Sequence, residues 1–317
     1  MNAIQSFFKR FFSKATPLPA GTHQYQAPPE AEKPYRLHLR LEPDGSGLLL
    51  INASTVLHLN QTAAEYAYHL VKQTPPDTVA KTIAQRYNVP TSDALQDFND
   101  LSERINILIN TEDLDPVMFL GFDRDEPYSG NTSAPFRLDC ALTYGTSEGY
   151  AMDVPIERVT RELQTEEWLE ILNKAWEAGI PHIVFTGGEP TLRPDLVELV
   201  AGAEKNGQVT GLITDGLRIS NHEFLQKLLL AGLDHMLIVL DPTSEISWEA
   251  IRDAVSEDIS LAVHLTLTPK NQQKFTTLID RLAGMGVVNL SISTSDASMK
   301  EHFEQLQQYI ADHGMKL

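Results

Sequence analysis

Cysteine is the scarcest residue here: 317 residues contain one thiol, Cys140. A single thiol excludes an internal disulfide framework and fits a reducing cytosol. It also excludes a zinc site or iron–sulfur cluster held by several thiolates of this one chain. Long apolar runs are missing too, so no segment is expected to span a bilayer. Positive charge is in deficit: 25 Lys and Arg against 43 Asp and Glu leave a net charge of −18. That field repels phosphate backbones, and nucleic acid is not an expected partner. No nucleophile elbow and no phosphate-cradling glycine loop appears. The 10 histidines are scattered, with no pair at metal-ligand spacing on one helix face. No catalytic residue and no metal ligand is therefore assigned. What remains is ordinary for a soluble globular protein, with 42% hydrophobic and 21% charged residues. The length allows one large domain and a small one.

Residues 1–14 hold Ile4, Phe7, Phe8, Phe11 and Phe12, interleaved with Lys9, Arg10 and Lys14. On a helix this spacing gathers the aromatics into one stripe with cations beside it. Such a helix suits a membrane surface or docking onto a partner protein. It is too short and too interrupted by charge for a secretory signal. Pro17, Pro19, Pro28, Pro29 and Pro34 make residues 15–34 a tether, so residues 1–34 form one N-terminal segment. The plainer reading of residues 1–14 is a frayed tail; the expected location is cytoplasmic, with peripheral membrane attachment through residues 1–14 as the alternative.

From Tyr35 the pattern changes. Arg36 to Leu41 alternates apolar and polar residues, Pro43-Asp44-Gly45-Ser46-Gly47 is a turn, and Leu48 to Leu59 is a second extended run. Thr62 with Glu65 reads as a capping box opening a helix to about Gln73. Pro75-Pro76 ends it, and helices near Thr78–Tyr87 and Ser92–Ile107 follow. A hairpin followed by three helices resembles the PQQ-biosynthesis protein D (PqqD-like) family over residues 35–112, including the Leu59-Asn60-Gln61-Thr62 entry to the first helix. A generic winged-helix-like α+β module is the other reading. Residues 113–134, acidic and rich in Pro, Gly and Ser, form a linker.

Over residues 135–317 the chain repeats itself. Apolar β-runs begin near Phe136, His182, Val209, His235, Ser260 and Val287, with a helical pattern between each pair. Helices stop on Gly179, Gly207, Gly232 and Gly286, since glycine readily takes the left-handed conformation that ends a helix. Alternating strands and helices with Val/Ile/Leu-rich strands imply an α/β fold with a parallel sheet. Six units fall short of the eight that close a TIM barrel. A Rossmann-type sheet is the alternative, but its Gly-x-Gly-x-x-Gly turn is absent after the first strand. Trp168, Trp176 and Trp248 fall on helices and read as packing residues.

The second β-run leads into Gly187-Gly188-Glu189-Pro190-Thr191-Leu192-Arg193-Pro194, with a helix opening at Pro194. The glycines let backbone approach a ligand closely, and Pro190 stiffens the exit. The plainer reading is a tight turn whose glutamate caps the following helix. Residues 135–317 closely resemble the radical SAM superfamily, whose S-adenosylmethionine-holding turn reads this way. The resemblance implies an open six-unit (β/α)6 partial TIM barrel. It implies that Gly187, Gly188, Glu189 and Pro190 hold S-adenosylmethionine, with Glu189 facing its amino group. It also implies nucleoside contacts by strand-end groups. These are Thr214 and Asp215, where the family has Thr-Asn, Asp241, where Val239 replaces a serine, and Thr266, followed by Thr268 and Asn271.

The cluster loop departs from the family. Leu142-Thr143-Tyr144-Gly145 matches its entry, but the three ligand positions fall on Thr146, Tyr150 and Asp153. Counting from Cys140 instead, the next two fall on Tyr144 and Ser147. A hydroxyl, a phenol and a carboxylate do not replace three thiolates, so no 4Fe-4S cluster is expected. With Glu148 these side chains suit at most a hard cation. Cys140 alternates with Leu138 and Leu142 and reads as a buried structural thiol. The expected function is that of a degenerate radical SAM-fold protein in peptide or cofactor maturation. It would bind a peptide precursor, or an active radical SAM enzyme as its protein partner, and retain an S-adenosylmethionine pocket. Two alternatives stay open: an S-adenosylmethionine-dependent enzyme working without radicals, and a radical enzyme whose cluster a partner completes.

Overall fold

A computed structural model describes residues 15–28, 35–52, 55–111, 114, 133–147 and 160–317. The aromatic stripe of residues 1–14, most of the linker, and Glu148, Tyr150 and Asp153 lie outside the described residues. The chain divides into two compact units, Met1–Phe136 with Ala175–Pro181, and Arg137–Lys174 with His182–Leu317.

The first unit opens with four antiparallel strands in sequential order, β1 (Gly21–Gln26), β2 (Arg36–Leu41), β3 (Gly47–Ile51) and β4 (Thr55–Leu59). Two of these differ from the sequence reading. β1 lies within the expected tether, where its polar Gly-Thr-His-Gln-Tyr-Gln carries little apolar signal and gains its ladder only from β2. The run from Leu48 to Leu59 is two strands, because Asn52 takes a positive φ of 51° and turns the chain. The β2–β3 turn closes on Asp44, whose carboxylate accepts from the Ser46 N–H and hydroxyl.

Three helices follow: α1 (Gln61–Val71), α2 (Pro76–Tyr87) and α3 (Thr91–Asn110). Their apolar faces join the sheet in a core that includes Leu39, Leu49, Ile51, Tyr66, Ile83, Phe98 and Ile105. The expected capping box does not form. Asn60 caps α1, accepting from the Ala63 N–H at 3.0 Å. Glu65 is instead 2% exposed and paired with Arg86 by two hydrogen bonds of 2.8 and 2.7 Å. A bidentate guanidinium partner outcompetes a reach back to the helix start.

The second unit alternates strand and helix. In chain order its elements are β5 (Arg137–Thr143), α4 (Thr165–Glu177), β6 (His182–Gly187), α5 (Leu196–Asn206), β7 (Val209–Thr214), α6 (His222–Leu230), β8 (His235–Val239), α7 (Glu245–Val255), β9 (Ser260–Thr266), α8 (Phe275–Gly284), β10 (Asn289–Ser293) and α9 (Lys300–Asp312). All five strand pairings are parallel, and the sheet runs from β5 to β10 in chain order. A doubly wound sheet reverses its order at a switch point; this one does not. Gly207, Gly232 and Gly286, with φ of 80°, 100° and 89°, end their helices in the left-handed conformation as read from sequence.

Burial alternates along the inner strands. Met236 and Ile238, then Leu261, Val263 and Leu265, are buried, while their neighbours His235, Leu237, Ala262 and His264 are half-buried. With a period of two, one face of the sheet is core and the other is left for polar groups. Trp168 and Trp248 are buried packing residues.

Candidate site at the strand ends

β6 ends in a turn whose shape is set by backbone. Gly187 has a φ of 133°, and a Cβ there would stand 2.3 Å from the Thr143 carbonyl oxygen. A Cβ on Gly188 would stand 2.1 Å from the Gly145 carbonyl oxygen. The Gly188 N–H donates to Thr143 O and the Glu189 N–H to Gly145 O, both at 2.7 Å. The close approach these glycines permit is therefore made by the chain itself, the segment after β5. Pro190 is buried and opens a single 3-10 turn, Pro190–Leu192; the regular helix begins at Leu196, two residues beyond the predicted start.

Glu189 is 2% exposed. Its carboxylate accepts from the Thr191 N–H at 2.9 Å, the Thr214 hydroxyl at 2.8 Å and the Asp215 N–H at 2.7 Å. One side chain thus caps the 3-10 turn and ties it to the end of β7. Burial raises its pKa, and the charge of Asp215 raises it further, while these donors pull it down. A carboxylate offers about four acceptor positions, so one is left. Two more polar atoms beside it are buried without a protein partner, Asp215 Oδ2 and Thr191 Oγ1.

The ends of the cluster-loop segment are pinned together. Glu162 accepts from the Thr143 hydroxyl at 2.6 Å and the Tyr144 N–H at 3.0 Å. Arg193 donates to the Leu142 and Leu163 carbonyls, each at 3.1 Å, while Asp195 holds it through bonds of 2.8 and 2.6 Å. Arg193 and Asp195 belong to the motif after the Gly-Gly-Glu-Pro turn, so that motif braces both flanks of the loop. Cys140 on β5 is 2% exposed, and burial pushes its thiol up to about 12. It remains a thiol at neutral pH and is no metal ligand in that state.

The other expected contacts are looser. Asp241 is exposed and closes its own turn, accepting from the Thr243 N–H at 2.9 Å. Thr266 is exposed, and its carbonyl accepts from the Asn271 side chain, which also accepts from the Thr268 N–H. Glu189, Thr214 and Asp215 are brought into direct contact; Asp241 and Thr266 end neighbouring strands but serve local turns.

Sequence reading missed a second polar group on the open sheet face. The Nε2 atoms of His182 on β6 and His235 on β8 lie 2.6 Å apart, with the rings edge to face. Burial, then the charge of Arg137, pushes His235 down to about 4, with Asp139 opposing. Unfolded, the same imidazole titrates near 6.5 and takes up a proton that the folded chain refuses. The stability from keeping it neutral is full above pH 6.5 and is lost as pH falls toward 4, by roughly 2–3 kcal/mol. Urea melts from pH 7.5 to 4.5 should show this loss, and His235→Gln should flatten it relative to wild type. An equal slope in both proteins would remove the assignment.

Residues 140–263 match the model of the radical SAM superfamily, less than half of the chain. A PqqA peptide cyclase of Granulibacter bethesdensis is 42% identical over 81 residues, 26% of this chain and 21% of that protein. One of Streptomyces rochei is 30% identical over 156 residues, 44% of this chain and 43% of that protein. Each alignment thus spans less than half of the relative. Among solved structures, Streptococcus suis SuiB bound to its precursor peptide SuiA superposes with a TM-score of 0.55 at 14% identity. That match covers 88% of this chain and 70% of SuiB; a second SuiB structure, bound to S-adenosylmethionine, gives the same TM-score. At such identity the likeness is one of fold: an α/β chain with a parallel six-stranded sheet.

Proposed function

We propose that this chain is a radical SAM-fold protein that cannot build its own cluster and acts as a peptide-binding component of a peptide or cofactor maturation system. In this reading the six-stranded sheet curls into an open partial barrel, and the first unit is a PqqD-like module. The observation that carries the loss of the cluster is the donor set. The chain has one thiol, and it is buried and protonated on β5, whereas such a cluster takes several thiolates. The residues present do not fit a 4Fe-4S cluster held by this chain alone.

Peptide maturation is supported by the PqqA peptide cyclase relatives and by the fold shared with a protein solved on its precursor peptide. A leader peptide would add a strand to a free sheet edge, with main-chain hydrogen bonds supplying affinity. β1 already fills the β2 side of the hairpin read from sequence, so the edges open to such a strand are those of β1 and β4. S-adenosylmethionine is the second ligand, by resemblance, and the strand ends suit it. Glu189 has a spare acceptor position, and Asp215 Oδ2 lacks a partner beside it, an arrangement matched to a ligand ammonium. When bound, that cofactor supplies an activated sulfonium; what the chain adds is acceptors and a rigid turn. Asp241 and Thr266 would lie at the outer rim of this pocket.

Anaerobic reconstitution followed by iron and acid-labile sulfide analysis should return well under one cluster per chain; a stoichiometric cluster would overturn the reading. Titrating the full chain with synthetic peptides encoded beside its gene should give binding in the micromolar range. Silence from all of them would remove the peptide role. Lack of S-adenosylmethionine binding at millimolar concentration would remove the cofactor.

A further inference from the structure

We infer that His182 and His235 form a two-histidine site for a divalent cation of borderline softness, zinc or nickel, on the open face of the second unit's sheet. The site is separate from the strand-end turn and does not rest on the reading given above. Its geometry begins with a glycine. β7 lies between β6 and β8, and Gly211 pairs directly with His235. A Cβ at position 211 would stand 2.1 Å from the His235 ring. With any other residue there, the imidazole of β8 could not lie over β7 and meet the imidazole of β6. The missing side chain lets the two Nε2 atoms converge to 2.6 Å.

Convergence of two imidazole nitrogens is half of a tetrahedral zinc site. Among the described residues no group of three or more His, Cys, Asp or Glu is placed to hold a metal. The described residues therefore supply two ligands, and water completes the set. Asp139 has an independent bearing on the pair. It pairs in register with Val184, which pairs with Gly211, so it stands in the same cross-strand row as His235. Its carboxylate is 51% exposed, with both oxygens accepting from Arg137 at 2.5 and 3.1 Å, and the charges of both residues, Arg137's the larger effect, reach the His235 ring.

Two nitrogens on one zinc ion, each at about 2.0–2.1 Å, stand about 3.3 Å apart in tetrahedral geometry. The present 2.6 Å spacing is that of a hydrogen bond, in which one ring donates and the other accepts. A cation would replace that shared proton. The rings part by several tenths of an ångström, and the donor ring moves its proton from Nε2 to Nδ1.

The test is calorimetric titration of the full chain with zinc chloride at pH 7.5, alongside His182→Gln, His235→Gln and Gly211→Ala. Wild type should bind one equivalent in the micromolar range, each histidine variant at least tenfold more weakly. Gly211→Ala is the sharper variant, since it keeps both ligands and fills the space in which they meet. It too should lose at least tenfold, and His302→Gln should not. Absence of a micromolar site in wild type would overturn the proposal. So would equal affinity in the histidine variants. Each variant's circular dichroism melt is recorded first; if Gly211→Ala does not fold, the two glutamine variants, close to histidine in size and polarity, decide the question.

Discussion

Replacing Arg86 with alanine is expected to destabilise the first unit by about 2–3 kcal/mol, below the full range for a buried ion pair because the guanidinium itself is 30% exposed. The reason is Glu65, which the structure leaves 2% exposed. Arg86 holds both carboxylate oxygens, at 2.8 and 2.7 Å, and also donates to the Thr16 carbonyl at 2.7 Å. Truncation leaves a carboxylate that is 2% exposed without its bidentate partner, open to water only where Arg86 stood. The attraction itself is worth less than this figure, because bringing both ions out of water costs several kcal/mol. The double variant Glu65→Leu/Arg86→Ala should therefore recover much of the loss. Hydrogen exchange of α1 and α2 amides in the full chain reads the effect without assuming that the two units unfold together. A loss below about 1 kcal/mol in Arg86→Ala would place this pair among ordinary surface ion pairs.

Gly188→Ala is expected to cost at least about 4 kcal/mol or to prevent the second unit from folding, among the largest effects a single substitution has. The added Cβ would meet the Gly145 carbonyl oxygen at 2.1 Å and its carbon at 2.8 Å. Backbone cannot swing aside as a flexible side chain does. Relief would break the Gly188-to-Thr143 and Glu189-to-Gly145 hydrogen bonds that join β6 to the segment after β5. Gly284 supplies the contrast. It sits at the end of α8 with nothing within 4 Å of its Cβ position. Gly284→Ala should stabilise by about 0.4–1 kcal/mol by restricting the unfolded chain. Thermal melts of the two variants should move in opposite directions; a Gly188→Ala protein melting with wild type would show the turn to be loosely held.

How much was legible in advance follows from how local each signal is. The six strand starts stood out because Val/Ile/Leu runs alternate with amphipathic helices and with glycines that end them. β1 did not, since its residues are polar and its partner strand creates it. The Thr62/Glu65 pattern matched a capping box in sequence, yet Glu65 is claimed by Arg86, 21 positions away. The Gly-Gly-Glu-Pro turn was visible as a motif. What presses on its glycines was not, because the Thr143–Gly145 backbone approaches from an earlier strand. The His182–His235 contact lay beyond any motif search: 53 residues separate the two rings.

From the chain of letters alone came the sulfur count, the repeat of strand and helix, and the glycines that end its helices. Each depends on composition or on neighbours within a turn or two, where periodicity and φ preference act. Tertiary structure alone decided that Glu189 would also tie its turn to the end of β7, and that two histidines would meet across a glycine. Those outcomes depend on which strands lie side by side and on what burial does to charge, and parallel crossovers set both across tens of residues.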